Sequence, residues 1–342
     1  MTRQVDLNLN EPLDAAAKPT LSKTPLVPKY ATAAATLQGD YYVQEQLNLN
    51  RYLFWSPILK VYMTLVIGTA LTYALWDYVV ISDTPMEFLQ YFRRTEVWVQ
   101  LVIILPALVL IVISLGLVIF LVSDDLKDVS RNLVGNGYVN EIFGFDLVKF
   151  AKLDVDSNVP KQREQLSLGD NTQIIVYRDS PIAIATVVPD PKSTVSDFIV
   201  RILGMNIRKV YSKVDFDQLV LEWSIIRARQ LLQRRAEKES IKLISGCKIT
   251  VLVDAYSFDQ HRVSLLLKNG FLVLSSTYQL NPFGAAPQHW QVGLQKVFSV
   301  ARRTYGLVFV VDNEDADLLM KAVKTSGFLA TTDNVKRRRP AA

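Results

Sequence analysis

The sequence predicts a two-helix transmembrane hairpin joined to an α+β domain on the cytosolic side. Three observations predict it: an uncharged stretch from Val97 to Val122, a second apolar run from Pro57 to Ile81, and alternating strand and helix patterns after Asp124. Among 342 residues, 50% hydrophobic content is ordinary for a soluble chain, so the uneven spread carries the argument rather than the total. The expected organisation is a largely disordered arm over 1–50, the hairpin over 51–124, the domain over 125–335 and a basic tail over 336–342.

The stretch from Val97 to Val122 exceeds the roughly 30 Å hydrocarbon core at about 1.5 Å per residue. Pro106 and Gly116 are tolerated in such a span, where neighbouring groups re-satisfy the backbone. In the run from Pro57 to Ile81, Lys60 lies one turn inside and can snorkel to the interface, as Asp77 can at the other end. Trp55, Tyr62, Trp76 and Tyr78 bracket it as interfacial aromatics. Gly68 and Thr72 place small residues on one face, which predicts close approach of the two helices. The link Ser82 to Glu96 is short, so both termini fall on one side. Arg51, Lys127 and Arg131 outnumber Arg93 and Arg94, which favours cytosolic termini.

The net charge of +5 is modest and concentrated in Arg227 to Lys242 and Lys336 to Arg339. That suits a membrane surface or an acidic partner and argues against nucleic acid. Cys247 is the only cysteine, so no intrachain disulfide forms, and its apolar neighbours place it in the core. Two histidines, His261 and His289, and no cluster at ligand spacing leave no metal site to nominate. No catalytic or cofactor-binding residue can be named, and no nucleophile elbow is present.

Within the domain, Gln173 to Tyr177 and Ile182 to Val188 read as a hairpin joined by Arg178-Asp179-Ser180-Pro181. Ile207 to Val214 is expected as a third strand, and a long helix begins near Asp217. A strand at Ile249 to Val253, a short helix through Leu265 and Leu267, a cap at Gly270 and a strand at Leu272 to Ser275 follow. A similar unit recurs from Leu307 to Thr332, after a helix expected at Gln288 to Arg303.

Between Thr172 and Ser276 this order resembles the acyl-CoA-dependent N-acetyltransferase (GNAT) superfamily, with Ser264 to Phe271 similar to the end of its last helix. The resemblance implies a mixed sheet and a Gly-rich phosphate turn at a helix N-terminus. The matching stretch is Val214-Asp215-Phe216-Asp217-Gln218, without glycine, and its carboxylates repel phosphate. The family's tyrosine acid corresponds to Leu266, and its upstream Asn and Ala to Asp259 and Arg262. A membrane-anchored acetyltransferase is therefore the alternative function rather than the leading one. A third is a membrane tether using the basic helix Arg227 to Lys242.

The whole architecture, through Arg51 to Tyr62, IIVYRDSPIAIATVVP and NGFLVLSS, resembles the fungal inorganic phosphate transport accessory family. That resemblance implies an endoplasmic-reticulum packaging chaperone, not an enzyme, needed to load a multi-spanning phosphate transporter into COPII vesicles. Its partners would be that client, the lipid bilayer and vesicle-coat proteins, with no cofactor. Small and polar groups in the spans, Gly68, Thr72, Asp77, Gln100, Pro106 and Gly116, with Thr69 and Ser114, are the candidate client contacts. They can equally serve to join the hairpin to itself. Arg337, Arg338 and Arg339, after Lys336, are similar to an Arg-x-Arg retrieval signal; a solvated tail or an anionic-lipid contact fits the same residues.

Overall fold

A computed structural model describes residues 21–91, 95–135, 137–154, 159–212, 214–239 and 247–310. The chain opens with strand β1 (Leu21–Pro25) and helix α1 (Ala31–Phe54). The expected disordered arm is thereby corrected over residues 21–50. Its polar composition conceals a stripe at four-residue spacing, Leu37, Tyr41, Glu45, Leu49 and Leu53, all buried.

Helix α2 (Pro57–Ile81) follows after a two-residue break. Ser56 caps it by accepting from the Leu59 amide at 3.3 Å, and Pro57 takes the first turn, where no amide partner is needed. A short helix α3 (Pro85–Tyr91) leads to α4 (Thr95–Val134), which carries Pro106 in its interior. Both α2 and α4 are long and apolar enough to cross a bilayer. The most apolar window of α2 is 11% buried and that of α4 is 0% buried, so neither window lies in the domain's core. This is the expected hairpin. α4, however, runs unbroken past residue 124 to Val134, so the hairpin and the domain share one helix.

That shared portion packs on α1, with Leu126, Val129 and Leu133 fully buried beside Leu37, Leu49 and Leu53. Gly39 sits at the crossing, where an added Cβ would stand 3.2 Å from Val134. Short helices α5 (Val139–Phe143), α6 (Leu147–Phe150) and α7 (Pro160–Leu168) return the chain to the sheet.

The sheet comprises β1, β2 (Thr172–Tyr177), β3 (Ser180–Pro189), β4 (Asp197–Ile207), β5 (Lys248–Tyr256), β6 (Leu272–Thr277) and β7 (Arg302–Val310), ordered β1-β2-β3-β4-β5-β7-β6. Among the described residues only β4 and β5 pair in parallel. Arg178 and Asp179, at φ 47° and 59°, form the two-residue turn between β2 and β3. β1 pairs with β2 from Leu21↔Tyr177 to Pro25↔Gln173, which joins the segments before and after the hairpin in one ladder.

Alternate residues of β3 enter two cores. Ile184 joins α1 and α4, while Ala183, Ala185 and Val187 join helix α8 (Phe216–Lys238) on the other face. Helix α9 (Gln260–Lys268) ends with Gly270 at φ 82°; the Phe271 amide donates to the Leu266 carbonyl and the Gly270 amide to that of Leu267. This is the expected glycine cap, closed by contact between two fully buried residues, Leu266 and Phe271. Cys247 is buried in the core, as its neighbours imply.

Two expectations are corrected. The third strand is Asp197–Ile207, not Ile207 to Val214, because the Arg208 amide turns onto the Ile182 carbonyl and Lys209–Tyr211 close a 3-10 turn. The helix expected at Gln288 to Arg303 is α10 (His289–Val297); Ser299 at φ 56° ends it, and Val300 and Ala301 enter the core ahead of β7. In the expected second strand–helix–strand unit, residues 311–332 lie outside the described residues.

Truncating Leu126 removes a fully buried side chain from the seam between α1 and α4. Leu126→Ala should cost about 2–5 kcal/mol. Leu117→Ala, at an exposed lipid-facing position of the same helix, should leave the unfolding midpoint in nanodiscs near that of the parent.

Candidate functional site

Two places gather functional residues: a groove between the spans, and a cleft in the sheet. The groove has a volume of about 1070 Å³ and lies between the second half of α2 and the first half of α4. Gly68, Thr69, Thr72, Tyr73, Trp76 and Asp77 line one wall; Ile103, Ile104 and Ala107 line the other. Gly68, Thr72 and Asp77, singled out from sequence, are thus brought together on one wall. Thr69 and Ser114 hydroxyls return to their own helices, at 2.7 Å from the Leu65 and Ile111 carbonyls. Thr72 and Asp77 side chains are exposed and make no hydrogen bond or ion pair among the described residues.

Gly68 does not draw the helices together. A Cβ added there, or at Gly116, would meet nothing within 4 Å. The expected close approach at these small residues is therefore absent, and their open faces remain for another helix or for lipid. Gly116 lines a separate apolar groove of about 340 Å³ with Phe54, Trp55, Leu59, Lys60 and Met63. Lys60 reaches back to lie 4.9 Å from the Trp55 ring centroid, the snorkelling geometry expected of it. Pro106 is exposed beside Ala107 but outside both grooves. The Gln100 side chain and Arg337, Arg338 and Arg339 lie outside the described residues.

The cleft arises where β4 and β5 part. They pair from Asp197↔Lys248 to Ile202↔Val253 and separate beyond. Gly204, at φ +61°, bends β4 there, and the freed backbone groups turn to α1. Gln38 donates to the Gly204 carbonyl, and Asn206 donates to the Leu37 carbonyl. Arg262 of α9 donates to the Met205 carbonyl and, at 2.7 Å, to the Tyr41 hydroxyl, its guanidinium 4.5 Å from the Tyr41 ring centroid. Asp254 accepts from Thr304 at 2.7 Å and Arg302 at 3.3 Å on the far wall.

The space left is about 40 Å³, bounded by Tyr41, Tyr42, Gly204, Asp254, Arg262 and Arg302. That admits a water or two, whereas pockets for drug-sized ligands run to roughly 300–1,000 Å³. In the first turn of α8, within the stretch where the acetyltransferase resemblance places a phosphate loop, Asp217 is bonded to His261 at 3.0 Å. Leu266, at the position of that family's tyrosine, is fully buried in the core. Among the described residues no three His, Cys, Asp or Glu side chains converge on a metal-sized site.

Gln38, Tyr41 and Glu45 are functional-site residues that the sequence analysis does not single out; the four-residue stripe of α1 is the signal that marks Tyr41 and Glu45. The membrane tether offered as a third alternative needs the arginines of α8 at a lipid surface. They are engaged in the domain instead: Arg227 with Asn171 and Gln230 at 2.9 Å, Arg235 with Glu239 and Ser193 at 2.9 Å, and Arg229 over Phe309.

A hairpin of two helices long and apolar enough to cross a bilayer, locked by α1 to a mixed sheet, defines a protein of α+β class with a candidate membrane anchor. The chain belongs to the inorganic phosphate transporter chaperone family Pho86, which matches residues 3–309. No curated protein matches it. Solved structures similar to the domain are acetyltransferases. They include Naa50 of Arabidopsis thaliana bound to a bisubstrate analogue (10% identity, 52% of this chain and 93% of that one, TM-score 0.28). An IAA acetyltransferase from Bacillus cereus (11%, 45% and 93%, TM-score 0.28) and a GNAT-family acetyltransferase from Streptococcus pneumoniae (17%, 46% and 82%, TM-score 0.28) are further examples.

Burial, with Asp259 nearby, raises the Glu45 carboxyl to about 8, against the opposing pull of Arg262 and a hydrogen bond from Asn48. Between the ordinary value of 4.5 and about 8 the folded chain holds a proton that the unfolded chain releases. Stability should therefore fall as pH rises through that window, and Glu45→Gln should flatten the slope, read as unfolding midpoints at about pH 5 and about pH 8.

Proposed function

We propose that this phosphate-transporter chaperone resides in the endoplasmic reticulum, where its hairpin holds the transporter's spans until the client is loaded into COPII vesicles. One observation carries the reading: in the groove between α2 and α4, Gly68 faces open space and Thr72 and Asp77 have no side-chain partner among the described residues. Within a bilayer, open small residues permit close helix packing, and an unpaired carboxylate is costly unless a partner meets it. A client helix supplies both. Two spans are few for a carrier, which ordinarily needs repeats around a midplane site.

The same reading makes the chain a binder rather than an acetyltransferase. α1 fills the cleft in the sheet, Asp215 and Asp217 begin α8 in place of a glycine turn, and Leu266 replaces the acid. The basic tail Lys336 to Arg339 serves retrieval by coat proteins, with the termini in the cytosol.

Microsomes carrying the parent chain, Gly68→Leu or Asp77→Asn should be compared in a vesicle-budding assay scored for the phosphate transporter and an unrelated membrane cargo. Each variant should reduce transporter packaging on the order of fivefold, as loss of about 1 kcal/mol of interhelical contact implies. Unrelated cargo should bud normally. Normal transporter budding from microsomes lacking the protein altogether would sink the packaging role, and acetyl-CoA binding by the full chain would revive the enzyme reading.

A further inference from the structure

The domain does not hang from the spans on a linker; it sits on them. α1 passes into α2 across Trp55 and Ser56, and Ser56 and Leu59, at the first turn of the span, are buried. The β5–α9 turn at Phe258 and Asp259 borders that junction, beside Tyr52, Trp55 and Pro57. Tyr52 donates to the Phe298 carbonyl at 3.2 Å, which fixes the end of α10 within a few residues of the start of α2. Ser257 and Ser299 tie the two turns together at 3.0 Å.

α10 is amphipathic in a way that the domain's core does not use up. Gln295 is buried, and Leu294 packs on the cluster that includes Leu53, Leu59 and Val122. On the outer arc stand Trp290, Gly293, Lys296 and Val297, at spacings of three and four residues. Trp290 is 45% and Val297 53% exposed, and a Cβ at Gly293 would meet nothing within 4 Å. At the end of α1, Phe54 and Trp55 are exposed by 59% and 60%. A tryptophan, a lysine and apolar groups on one exposed face, at the height where a span begins, match the headgroup layer better than water.

We propose that α10 and the end of α1 form a collar seated in the headgroup region of the bilayer, giving the domain a lipid contact beyond its two spans. The occupant is the lipid surface itself, because the spans that adjoin the collar put it at that depth. The collar sets the height and tilt of the domain over the membrane, and so the direction in which the groove between α2 and α4 opens along the bilayer.

The test uses the full chain in nanodiscs, with an environment-sensitive fluorophore on Gly293→Cys. A matched probe on Val210→Cys serves as reference, because Val210 is 85% exposed and follows Asn206, which bonds Leu37 some eighteen residues up α1 from Trp55, roughly 27 Å away. Buried Cys247 stays in place, and the unsubstituted chain gives its background. The probe at 293 should be quenched by shallow lipid-borne nitroxides and shielded from iodide, with blue-shifted emission, while the probe at 210 behaves the opposite way. Iodide access at 293 equal to that at 210, or shielding without lipid quenching, overturns the collar; the second pattern would mean that protein covers the face.

Discussion

The seat of α1 in the gap between β4 and β5 is the constraint on which the rest of the structure depends. Where two parallel strands part, backbone carbonyls are left inside the protein without a ladder partner, and each would cost about 1–3 kcal/mol if unsatisfied. Gln38 and Arg262 meet those of Gly204 and Met205, and Asn206 meets α1 in return. Because α1 is also the lead into the first span and the partner of α4, one helix completes the sheet and holds the membrane hairpin. Loosening it would expose polar backbone in the domain and free the spans from it together.

The same seat changes the character of the cleft between β4 and β5. A cleft open in the sheet can receive a ligand; filled by a helix of its own chain, it becomes a joint. Glu45, Arg262 and Asp259 then meet as buried polar groups where α1 reaches the start of α9. Thr72 and Asp77, exposed and without a side-chain partner among the described residues, lie instead along α2.

The hairpin was legible because absence of charge over Val97 to Val122 is a strong signal with few alternatives. The β2–β3 turn and the Gly270 cap were legible because Arg178-Asp179 and Asn269-Gly270 encode local backbone geometry. α1 was hidden by its own function: burying Gln38, Tyr41 and Glu45 requires polar residues on the inward face, which lowers apparent hydrophobicity. The cleft was out of reach for a different reason. Its contacts join residues 166 and 221 positions apart, and no window along the chain contains both partners. In the membrane, Gly68 and Thr72 announced a helix-packing face, but whether that face turned inward or outward depended on the distance between α2 and α4, which spacing alone does not determine.

The pairing of β1 with β2 places Leu21 beside Tyr177, with both spans in the intervening chain. On the ribosome, β1 and α1 emerge first and have no sheet to join; their partners follow only after the hairpin has been made. The sheet is therefore finished by closing one of the longest loops in the fold, and long-range closures of this kind are slow. Until that closure, the cleft stands open and the β2 edge unpaired. The finished ladder thus ties chain made before the hairpin to chain made after it, a pairing that neither segment can form alone.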